Sequence, residues 1–297
     1  MKCDLCPRKC LVDRKKGEKG ICGQTENLKV ARAALHFWEE PCISGDAGSG
    51  AVFFSGCPLH CVFCQNENIA NGTVGKEISL ERLVDIFLEL QEKGANNINL
   101  VTPGHFVPQI VKALDQAKKE GLTLPVVYNT SSYETVDTIR MLDGYVDIYL
   151  PDFKYMSPVL SKKYSHAPDY AQVAKAAIAE MVRQTGKAVF VNEDEDNLIL
   201  SGTIVRHLTL PGCMADSMQI LKYLHDTYGD KIYISIMNQF TPLSNLEKYP
   251  ELNRRITDEE YETLVDYAID IGIENGFIQE GDTAEESFIP AFDCEGV

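Results

Sequence analysis

Positive charge is scarce in this sequence, which has 28 Lys and Arg residues against 44 Asp and Glu residues. The resulting net charge of −16 gives a surface that repels phosphate groups and anionic lipid headgroups. We therefore expect neither a nucleic acid nor a membrane surface among the partners of this protein. With 297 residues and 44% hydrophobic content, the chain can still bury a sizeable core.

Long hydrophobic runs are also missing, and none approaches the length of a membrane-spanning helix. The first ten residues, MKCDLCPRKC, contain no apolar stretch, so no signal peptide is visible and we expect a cytoplasmic protein. The sequence nevertheless has ten cysteines. In a reducing cytosol that number favours metal binding over disulfide bonds.

Three of the cysteines, Cys57, Cys61 and Cys64, lie in the stretch CPLHCVFC. The apolar run 51–54 before them predicts a buried strand, and Gly56 allows the sharp turn that brings the thiols together. Thiolates on so short a loop suit a soft metal, and iron–sulfur clusters are held by closely spaced cysteines. Three thiolates can hold three irons of a [4Fe–4S] cluster and leave the fourth open for a ligand. A zinc loop or reduced core cysteines are the alternatives.

This stretch resembles the cluster motif of the radical S-adenosylmethionine (SAM) enzymes, including the aromatic residue Phe63 before the last cysteine. In that family the amino and carboxylate groups of SAM chelate the open iron. The resemblance implies that an electron from the reduced cluster cleaves SAM to a 5′-deoxyadenosyl radical. It also implies a [4Fe–4S] cluster and SAM as cofactors, with an electron donor such as flavodoxin or ferredoxin.

A second group of cysteines, Cys3, Cys6, Cys10 and Cys22, lies near the start of the sequence. The polar, glycine-bearing stretch between the last two can fold back as a loop and close a four-thiolate site. So short a segment has little core of its own, so a bound metal would supply its folding free energy. We expect a second metal centre here, either an auxiliary iron–sulfur cluster that relays electrons or a structural zinc ion.

The remaining cysteines are expected to bind no metal. Cys42 is interpreted as a packed core thiol, with an extra metal ligand as the alternative, and His36 in the same segment is interpreted as structural. Cys213 and Cys294 stand apart from both cysteine groups and are expected to be unligated.

Strands and helices alternate after the three-cysteine stretch. Helical spacing of apolar residues predicts helices over 80–90, 107–119, 133–142, 170–185, 216–228 and 258–271. Apolar runs predict strands over 97–102, 124–130, 146–154, 203–210 and 231–240. Two apolar runs around the acidic turn 193–196 predict a hairpin insertion over 187–202.

Repeated strand–helix units with apolar strands indicate a parallel sheet covered by helices. Six such units, beginning at the strand before Cys57, match the partial (β/α)6 TIM-type barrel of radical SAM enzymes. We therefore predict an α/β fold in two parts. Residues 1–48 would form a cysteine-rich metal-binding extension, and residues 49–297 a radical SAM partial barrel with a C-terminal tail.

Polar residues follow several of the predicted strands. In βα barrels the C-terminal ends of the strands form the mouth where ligands bind. SAM needs donors for its carboxylate, acceptors for its amine and ribose hydroxyls, and an apolar surface for adenine. The expected SAM-contacting residues are Phe63, Thr102, His105, Asn129, Asp152, Lys154 and Arg206.

Asp152 and Lys154 lie two apart on one strand, so their side chains are expected to share a face, opposite Phe153. Asp152 would accept hydrogen bonds from the ribose, and Lys154 or Arg206 would meet the SAM carboxylate. The alternative is a structural ion pair between Asp152 and Lys154. For His105 the alternative is a structural residue at a helix start.

Within the superfamily the chain is most similar to uncharacterised relatives of the pyruvate formate-lyase activating enzyme. YLPDFK (149–154) and VRHLTLPG (205–212) resemble strands of the glycyl-radical-enzyme activases, whereas HFWEEP and MNQFTP resemble the uncharacterised branch. The activases also place a Gly-Gly-Glu motif after the second strand to bind the SAM amine. Here residues 101–105 are VTPGH and contain no acid.

The resemblance thus implies a radical SAM enzyme, of the activating-enzyme or maturase type, that abstracts hydrogen from a protein or peptide substrate. Two alternatives stay open. One is a radical SAM enzyme acting on a small metabolite, and the other is a non-enzymatic iron–sulfur or zinc protein. The open iron position expected from three cysteines favours catalysis over the binding protein.

Overall fold

The computed structural model describes residues 2–191, 197–242, 246–279 and 290–297. The strands among these residues are β1 Leu28–His36, β2 Ser49–Phe54, β3 Lys76–Ile78, β4 Ile98–Val101, β5 Val126–Thr130, β6 Ile148–Pro151, β7 Val189–Phe190, β8 Ile199–Leu208, β9 Tyr233–Met237 and β10 Gly276–Ile278. The α-helices are α1 Pro41–Ser44, α2 Glu67–Ala70, α3 Leu80–Glu92, α4 Val107–Lys119, α5 Val136–Arg140, α6 Pro158–Ser165, α7 Tyr170–Thr185, α8 Met214–Tyr228 and α9 Asp258–Asp270.

Parallel strands form most of the sheet, in the spatial order β2, β4, β5, β6, β8, β9 and β10. Helices connect consecutive parallel strands, as crossover connections require. β1 pairs antiparallel with the outer side of β2, and β3 pairs with β1, so the sheet of the described residues keeps two edges and forms a partial barrel. The six predicted strand–helix units are confirmed, and β10 is an added parallel strand.

The inner face of the sheet is apolar where the parallel strands begin and polar towards their C-terminal ends. Val127, Ile148 and Ile204 pack with Cys42 and Ile43 of α1 in a small apolar cluster. Because α1 lies between β1 and β2, this cluster covers the end of the barrel at which the parallel strands begin. Strand side chains alternate in direction, so the next inward positions on these strands lie above this floor.

Most of the predicted elements are confirmed. The helix from Leu80 begins where expected, because the Ser79 hydroxyl accepts a hydrogen bond from the backbone N–H of Arg82 (3.1 Å). The helix predicted over 107–119 matches α4 at both ends. The predicted hairpin is present, since β7 pairs antiparallel with β8. The acidic turn 193–196 lies outside the described residues.

Three details differ from the sequence prediction. The strand predicted over 203–210 is the second part of β8, so the return arm of the hairpin and the barrel strand are one element. The helix predicted over 133–142 is shorter, because the Thr135 side chain caps α5. Five short elements were not predicted: α1, α2, α6, β3 and β10.

The segment 290–297 runs along β1. The Cys294 N–H donates to the Ala31 carbonyl (3.0 Å), and the Ala33 N–H donates to the Glu295 carbonyl (2.9 Å). These bonds continue the pairing that β3 begins and cover the outer edge of β1. Within the described ranges, no helix has both the length and the apolar character needed to cross a membrane.

Candidate functional site

The loop that carries Cys57, Cys61 and Cys64 follows β2. Two apolar side chains in it, Leu59 and Phe63, are buried in the main core. Their burial fixes the loop, and all three cysteines line a cavity inside the barrel. Apolar residues and cysteines therefore have different roles in CPLHCVFC. Leu59 and Phe63 anchor the loop in the core, and the cysteines line the cavity.

The three thiols of this loop are free. Burial raises the pKa of Cys57 to about 11 and that of Cys64 to about 12, and neighbouring thiols contribute to both shifts. For Cys61, burial also raises the pKa, while Lys154 and a hydrogen bond from the Ser165 hydroxyl (3.0 Å) oppose it. Metal coordination would stabilise these buried sulfurs as thiolates, so the donor set fits a thiolate-bound cluster.

The cavity has a volume of about 350 Å³, within the range of small-molecule sites. The ring of Phe63 packs edge-to-face on Phe240, another residue of its wall, with centroids 5.9 Å apart. The residues predicted to contact SAM that line the cavity are Phe63, Thr102, Asn129, Asp152, Lys154 and Arg206. The structure therefore brings together nearly all of the predicted set.

His105 is the predicted residue that does not line the cavity. Its ring is buried, and Nε2 lies 2.7 Å from the carbonyl oxygen of Ser55. Burial lowers the pKa of His105 to about 3, so the ring is neutral and Nε2 donates its proton to that carbonyl. The His105 carbonyl accepts a hydrogen bond from Arg14 of the extension. These contacts favour the structural interpretation of His105.

Thr102, the residue after β4, has an unusual conformation. Its φ of +55° lies in the left-handed region, which β-branched residues rarely adopt. The Thr102 N–H donates to the carbonyl of Asn129 on β5 (2.9 Å), which holds the turn in place. Backbone strain of this kind persists where the surroundings enforce it, and it is found disproportionately at functional sites.

Asp152 lies between two cations in the cavity. Lys154 Nζ is 2.6 Å from Oδ2 of Asp152, and Arg206 Nε is 3.1 Å from Oδ1. Burial alone would raise the pKa of Asp152, but Lys154 and Arg206 together hold it below its usual value. Phe153 is fully buried in the core, so the predicted shared face of Asp152 and Lys154 is confirmed. The ion pair expected by the alternative interpretation is also present.

Arg206 connects this pair to a carboxylate that the sequence analysis did not assign. Its Nη1 lies 3.0 Å from Oε2 of Glu39, and its Nη2 donates to Oδ1 of Asn129 (2.5 Å). Glu39 Oε1 accepts from Nδ2 of both Asn99 and Asn129, at 3.1 Å each. A polar layer thus spans the barrel above its apolar floor.

Glu39 and Glu40 are the candidate site residues that sequence reasoning missed. They lie between β1 and Pro41 at the start of α1, and both line the cavity. The available signal was a pair of adjacent carboxylates between two apolar segments, since charged residues are rarely buried unless they are paired. Their position opposite Arg206 follows from the fold and not from local sequence.

The four cysteines of the extension lie near one another, away from the cavity. Burial, with contributions from the thiols of Cys22, Cys3 and Cys10, raises the pKa of Cys6 to about 12. A Cβ on Gly20 would lie 2.8 Å from Cys10 Sγ and 3.8 Å from Cys22 Sγ, so a side chain there would crowd these sulfurs.

Neither cysteine group is arranged around a single ion. Across the parts of the chain that the structure describes, no three His, Cys, Asp or Glu side chains surround one metal-ion position. A [4Fe–4S] cluster binds each thiolate to a different iron, so its ligands need not converge on one point. The second metal centre stays a prediction.

The extension contacts the cluster loop through Arg8. The Arg8 guanidinium donates to the carbonyls of Pro58 (2.8 Å), Ser165 (3.0 Å) and His166 (2.6 Å). It also lies over the Tyr133 ring, 5.1 Å from the centroid. Arg8 therefore ties the extension to the loop and to the end of α6.

Close backbone packing joins the same two regions. Gly56 has a φ of +93°, and a Cβ at this position would collide with the Cys22 carbonyl. A ring nitrogen of His60 lies 2.8 Å from the Ile21 carbonyl oxygen. The loop between Cys57 and Cys61 is thus in direct contact with the segment that carries Cys22.

The fold and the site define a class of protein. A partial parallel barrel, whose cavity is lined by three free cysteines and several charged side chains, has the architecture of a metal-dependent barrel enzyme. Residues 51–192 match the family described as the radical SAM superfamily. This part of the chain therefore matches a radical SAM domain, in agreement with the resemblance seen in the sequence. Such a domain implies a [4Fe–4S] cluster and SAM, and the buried thiols and the cavity fit both.

Proteins similar to this chain are distant in sequence. An uncharacterized protein of Methanocaldococcus jannaschii is 27% identical over 273 residues, which cover 90% of this chain and 74% of that protein. HydG, a maturase of the [FeFe]-hydrogenase, has a TM-score of 0.52 and 15% identity, with 78% of this chain and 52% of HydG covered. A domain of pyruvate-formate lyase-activating enzyme from Bacteroides vulgatus has a TM-score of 0.40 and 12% identity, with 59% and 91% covered. The chain spans about half the length of HydG, and that likeness shows the fold alone.

Proposed function

We propose that this protein is a radical SAM enzyme of the activating-enzyme or maturase type that abstracts hydrogen from a protein or peptide substrate. The observation that carries the proposal is the cavity that three free cysteines line together with Asp152, Lys154 and Arg206. The cysteines of the loop would hold the [4Fe–4S] cluster. When bound and reduced, the cluster would supply one electron for cleavage of SAM to methionine and a 5′-deoxyadenosyl radical, which would abstract one hydrogen atom from the substrate.

The charged residues of the cavity suit the polar groups of SAM. Lys154 lines the cavity together with the three cysteines of the loop, and its charge would neutralise the SAM carboxylate. Asp152 would accept hydrogen bonds from the ribose hydroxyls, with Arg206 fixing its orientation. Phe63 would give an apolar surface to the adenine. Thr102 would lie beside the SAM amine, since no acid follows β4.

The extension enters the proposal as a second metal site formed by Cys3, Cys6, Cys10 and Cys22. Four thiols within electrostatic reach of one another suit coordination of zinc or of an auxiliary cluster. An auxiliary cluster would pass electrons inward from a donor such as flavodoxin or ferredoxin, because the extension contacts the loop of the first cluster. A zinc ion would only fix the extension in place.

The resemblance of residues 149–154 and 205–212 to the activases favours a macromolecular substrate. HydG, which shares the fold, is a maturase. A small metabolite is the second candidate, because Glu39 and Glu40 line the same cavity in addition to the residues assigned to SAM. The two candidates differ in which fraction of the cell contains the hydrogen donor.

One experiment addresses both the reaction and the substrate. The protein is reconstituted anaerobically with iron and sulfide, reduced with dithionite, and given SAM with an extract of source cells grown in deuterated medium. The extract is divided into macromolecular and small-molecule fractions, and the 5′-deoxyadenosine formed is analysed by mass spectrometry. Formation of 5′-deoxyadenosine supports SAM cleavage, and its absence contradicts the proposed function.

The position of the deuterium then identifies the substrate class. Label acquired from the macromolecular fraction, and removed by prior protease treatment, supports a protein or peptide substrate. Label acquired only from the small-molecule fraction supports a metabolite and contradicts the first candidate. A variant in which Cys57, Cys61 and Cys64 are all alanine serves as the control for SAM cleavage by other components.

A further inference from the structure

Residues 39–44 form a rigidly held segment at the floor of the cavity. This segment brings the carboxylate of Glu40 into the barrel beside that of Glu39. The Ile43 carbonyl accepts a hydrogen bond from Asn97 Nδ2 (2.7 Å), and the Ser44 carbonyl accepts one from Asn96 Nδ2 (2.6 Å). The Glu39 N–H donates to Ser44 Oγ (3.1 Å). Because its backbone is fixed in this way, the segment places the side chain of Glu40 in a defined position at the cavity.

The two adjacent carboxylates have different surroundings. Glu39 is fully paired, with Arg206 on Oε2 and two asparagine amides on Oε1. Glu40 is 8% exposed, and its carboxylate interacts with the Ser235 hydroxyl and with its own backbone, but its Oε2 receives no hydrogen bond from any residue that the structure describes. A buried carboxylate oxygen without a partner loses its hydration and gains nothing in return. Glu40 therefore lines the cavity with an unmet demand for a donor.

The charged residues of the cavity lining also indicate that Glu40 lacks a partner of opposite charge. The acidic residues of the described cavity lining are Glu39, Glu40 and Asp152, and its Lys and Arg residues are Lys154 and Arg206. Lys154 pairs with Asp152, and Arg206 pairs with both Asp152 and Glu39. Glu40 is thus the carboxylate in excess. Burial raises its pKa, Arg206 opposes this, and Glu39 adds to it, so a further cation would stabilise the ionised form.

We propose that Glu40 binds a primary ammonium group of the substrate, so that this enzyme acts on an amine-bearing molecule. The inference rests on the proposed function and adds the substrate class to it. An ammonium ion supplies both the missing positive charge and the missing hydrogen-bond donor. The group belongs to a free amine metabolite or to a lysine side chain of a protein or peptide.

The position of Glu40 separates this site from the SAM amine. The cysteine loop follows the C-terminal end of β2, whereas residues 39–44 precede the first residue of that strand. Arg206 lies between the two regions, because it contacts both Asp152 and Glu39. Glu40 therefore enters the cavity from the end of β2 opposite to the cysteines.

The test measures binding of n-butylammonium, with n-butanol as the neutral probe, to the reconstituted protein by ligand-observed nuclear magnetic resonance. We expect n-butylammonium to bind more tightly than n-butanol. Glu40→Gln should weaken its binding about ten- to a hundredfold, the loss expected for one charge-assisted hydrogen bond. Glu40→Asp, which keeps the charge, should retain part of the affinity. Glu92→Gln, a neutralisation at an exposed position of α3, is the matched control.

Several outcomes would overturn the assignment. Equal affinity of the parent protein and a folded Glu40→Gln variant would show that Glu40 binds no ammonium. If Glu40→Gln fails to fold, equal binding of the two probes by the parent and by Glu40→Asp leads to the same conclusion. Displacement of n-butylammonium by SAM would assign the carboxylate to the SAM amine and contradict the substrate assignment. Binding that persists with SAM present supports it.

Two further probes distinguish the source of the ammonium group. Tighter binding of Nα-acetyl-lysine-N-methylamide than of n-butylammonium supports a lysine within a protein or peptide. Tighter binding of n-butylammonium supports a small amine. SAM cleavage is measured separately on the same parent protein, so a failure of the proposed function is distinguishable from a failure of the ammonium site.

Discussion

The two cysteine groups of this chain differ in what surrounds them. Cys57, Cys61 and Cys64 line a cavity together with Asp152 and Lys154. The four cysteines of the extension lie away from this cavity. Three thiolates leave one iron of a [4Fe–4S] cluster open, whereas four thiolates complete the coordination of a metal centre. If the proposed second site forms, the loop would hold a cluster with an exchangeable ligand, whereas the four cysteines would hold a metal centre that has no open position.

The two groups also differ in what holds them in place. The loop is anchored in the main core by Leu59 and Phe63. In residues 2–24, Cys22 is the only buried apolar side chain, and this segment contacts the rest of the chain mainly through polar groups, among them Arg8, Arg14 and the Ile21 carbonyl. The loop should therefore keep its place without metal, whereas residues 2–24 are expected to depend on the proposed metal.

The largest expected effect follows from replacing the cysteines of the loop. Changing any one of Cys57, Cys61 or Cys64 to Ala should abolish SAM cleavage, because each is expected to hold one iron. The barrel should stay folded, since none of the three is a core anchor. The measurement is 5′-deoxyadenosine yield after anaerobic reconstitution, with circular dichroism as the check on folding. Cys213→Ala is the control and should retain full yield. Undiminished cleavage by the triple variant would contradict the assignment of the cluster.

The next effect concerns the metal of the extension. The triple alanine variant of the loop should still bind one metal centre, because Cys3, Cys6, Cys10 and Cys22 are untouched. Elemental analysis identifies it: iron with sulfide indicates an auxiliary cluster, and zinc indicates a structural site. Cys22→Ser in this background should release the metal and make residues 2–24 sensitive to protease. A triple variant that contains neither metal would contradict the second site.

The sequence predicted the elements that local patterns encode. Both ends of α4 were predicted correctly, because its apolar residues are regularly spaced. The shared face of Asp152 and Lys154 follows from strand geometry alone. β10 was missed, because three residues carry no readable period. The 8-residue α6 was missed as well, and two lysines and two serines in it weaken the apolar pattern.

The candidate site was predictable where its residues follow strands. Glu39 was not, because its partner Arg206 lies 167 residues away and only the folded partial barrel brings them together. His105 was assigned to SAM because it follows a strand, but its ring faces Ser55 instead. Local sequence predicts that a residue lies near the mouth of the barrel. The direction of its side chain depends on tertiary packing, which a short sequence pattern does not encode.

A smaller effect is expected from replacing Asp152 or Lys154, which line the cavity together with the cysteines. Asp152→Asn and Lys154→Met should each raise the dissociation constant for SAM about ten- to a hundredfold, because one charge-assisted hydrogen bond is lost. Isothermal titration with SAM on the reconstituted variants measures this, and iron content should not change. Lys187→Met is the matched control, because Lys187 forms an exposed ion pair with Asp230 at the same 2.6 Å distance. Unchanged affinity in both variants would show that the pair is structural.

The smallest effect tests the contact between the two cysteine regions. Arg8→Ala removes the hydrogen bonds to Pro58, Ser165 and His166 and the contact with the Tyr133 ring. The loop keeps its core anchors, so the variant should fold and keep its iron. The contact region should, however, open locally more often. A loss of about 1–2 kcal/mol of stabilisation corresponds to a rise of roughly five- to thirtyfold in the rate of amide exchange.

Hydrogen–deuterium exchange of peptides that cover residues 2–24 and 55–66 measures this change. We expect faster exchange in both segments, because Arg8 joins them and its loss frees each from the other. Arg183→Ala is the control, since Arg183 of α7 pairs with Asp143 and Glu180, neither of which lies in either segment. Faster exchange in residues 2–24 alone would mean that the loop does not depend on the extension. In that case the two cysteine regions would be independent in stability, and the contact through Arg8 would serve only to hold the extension.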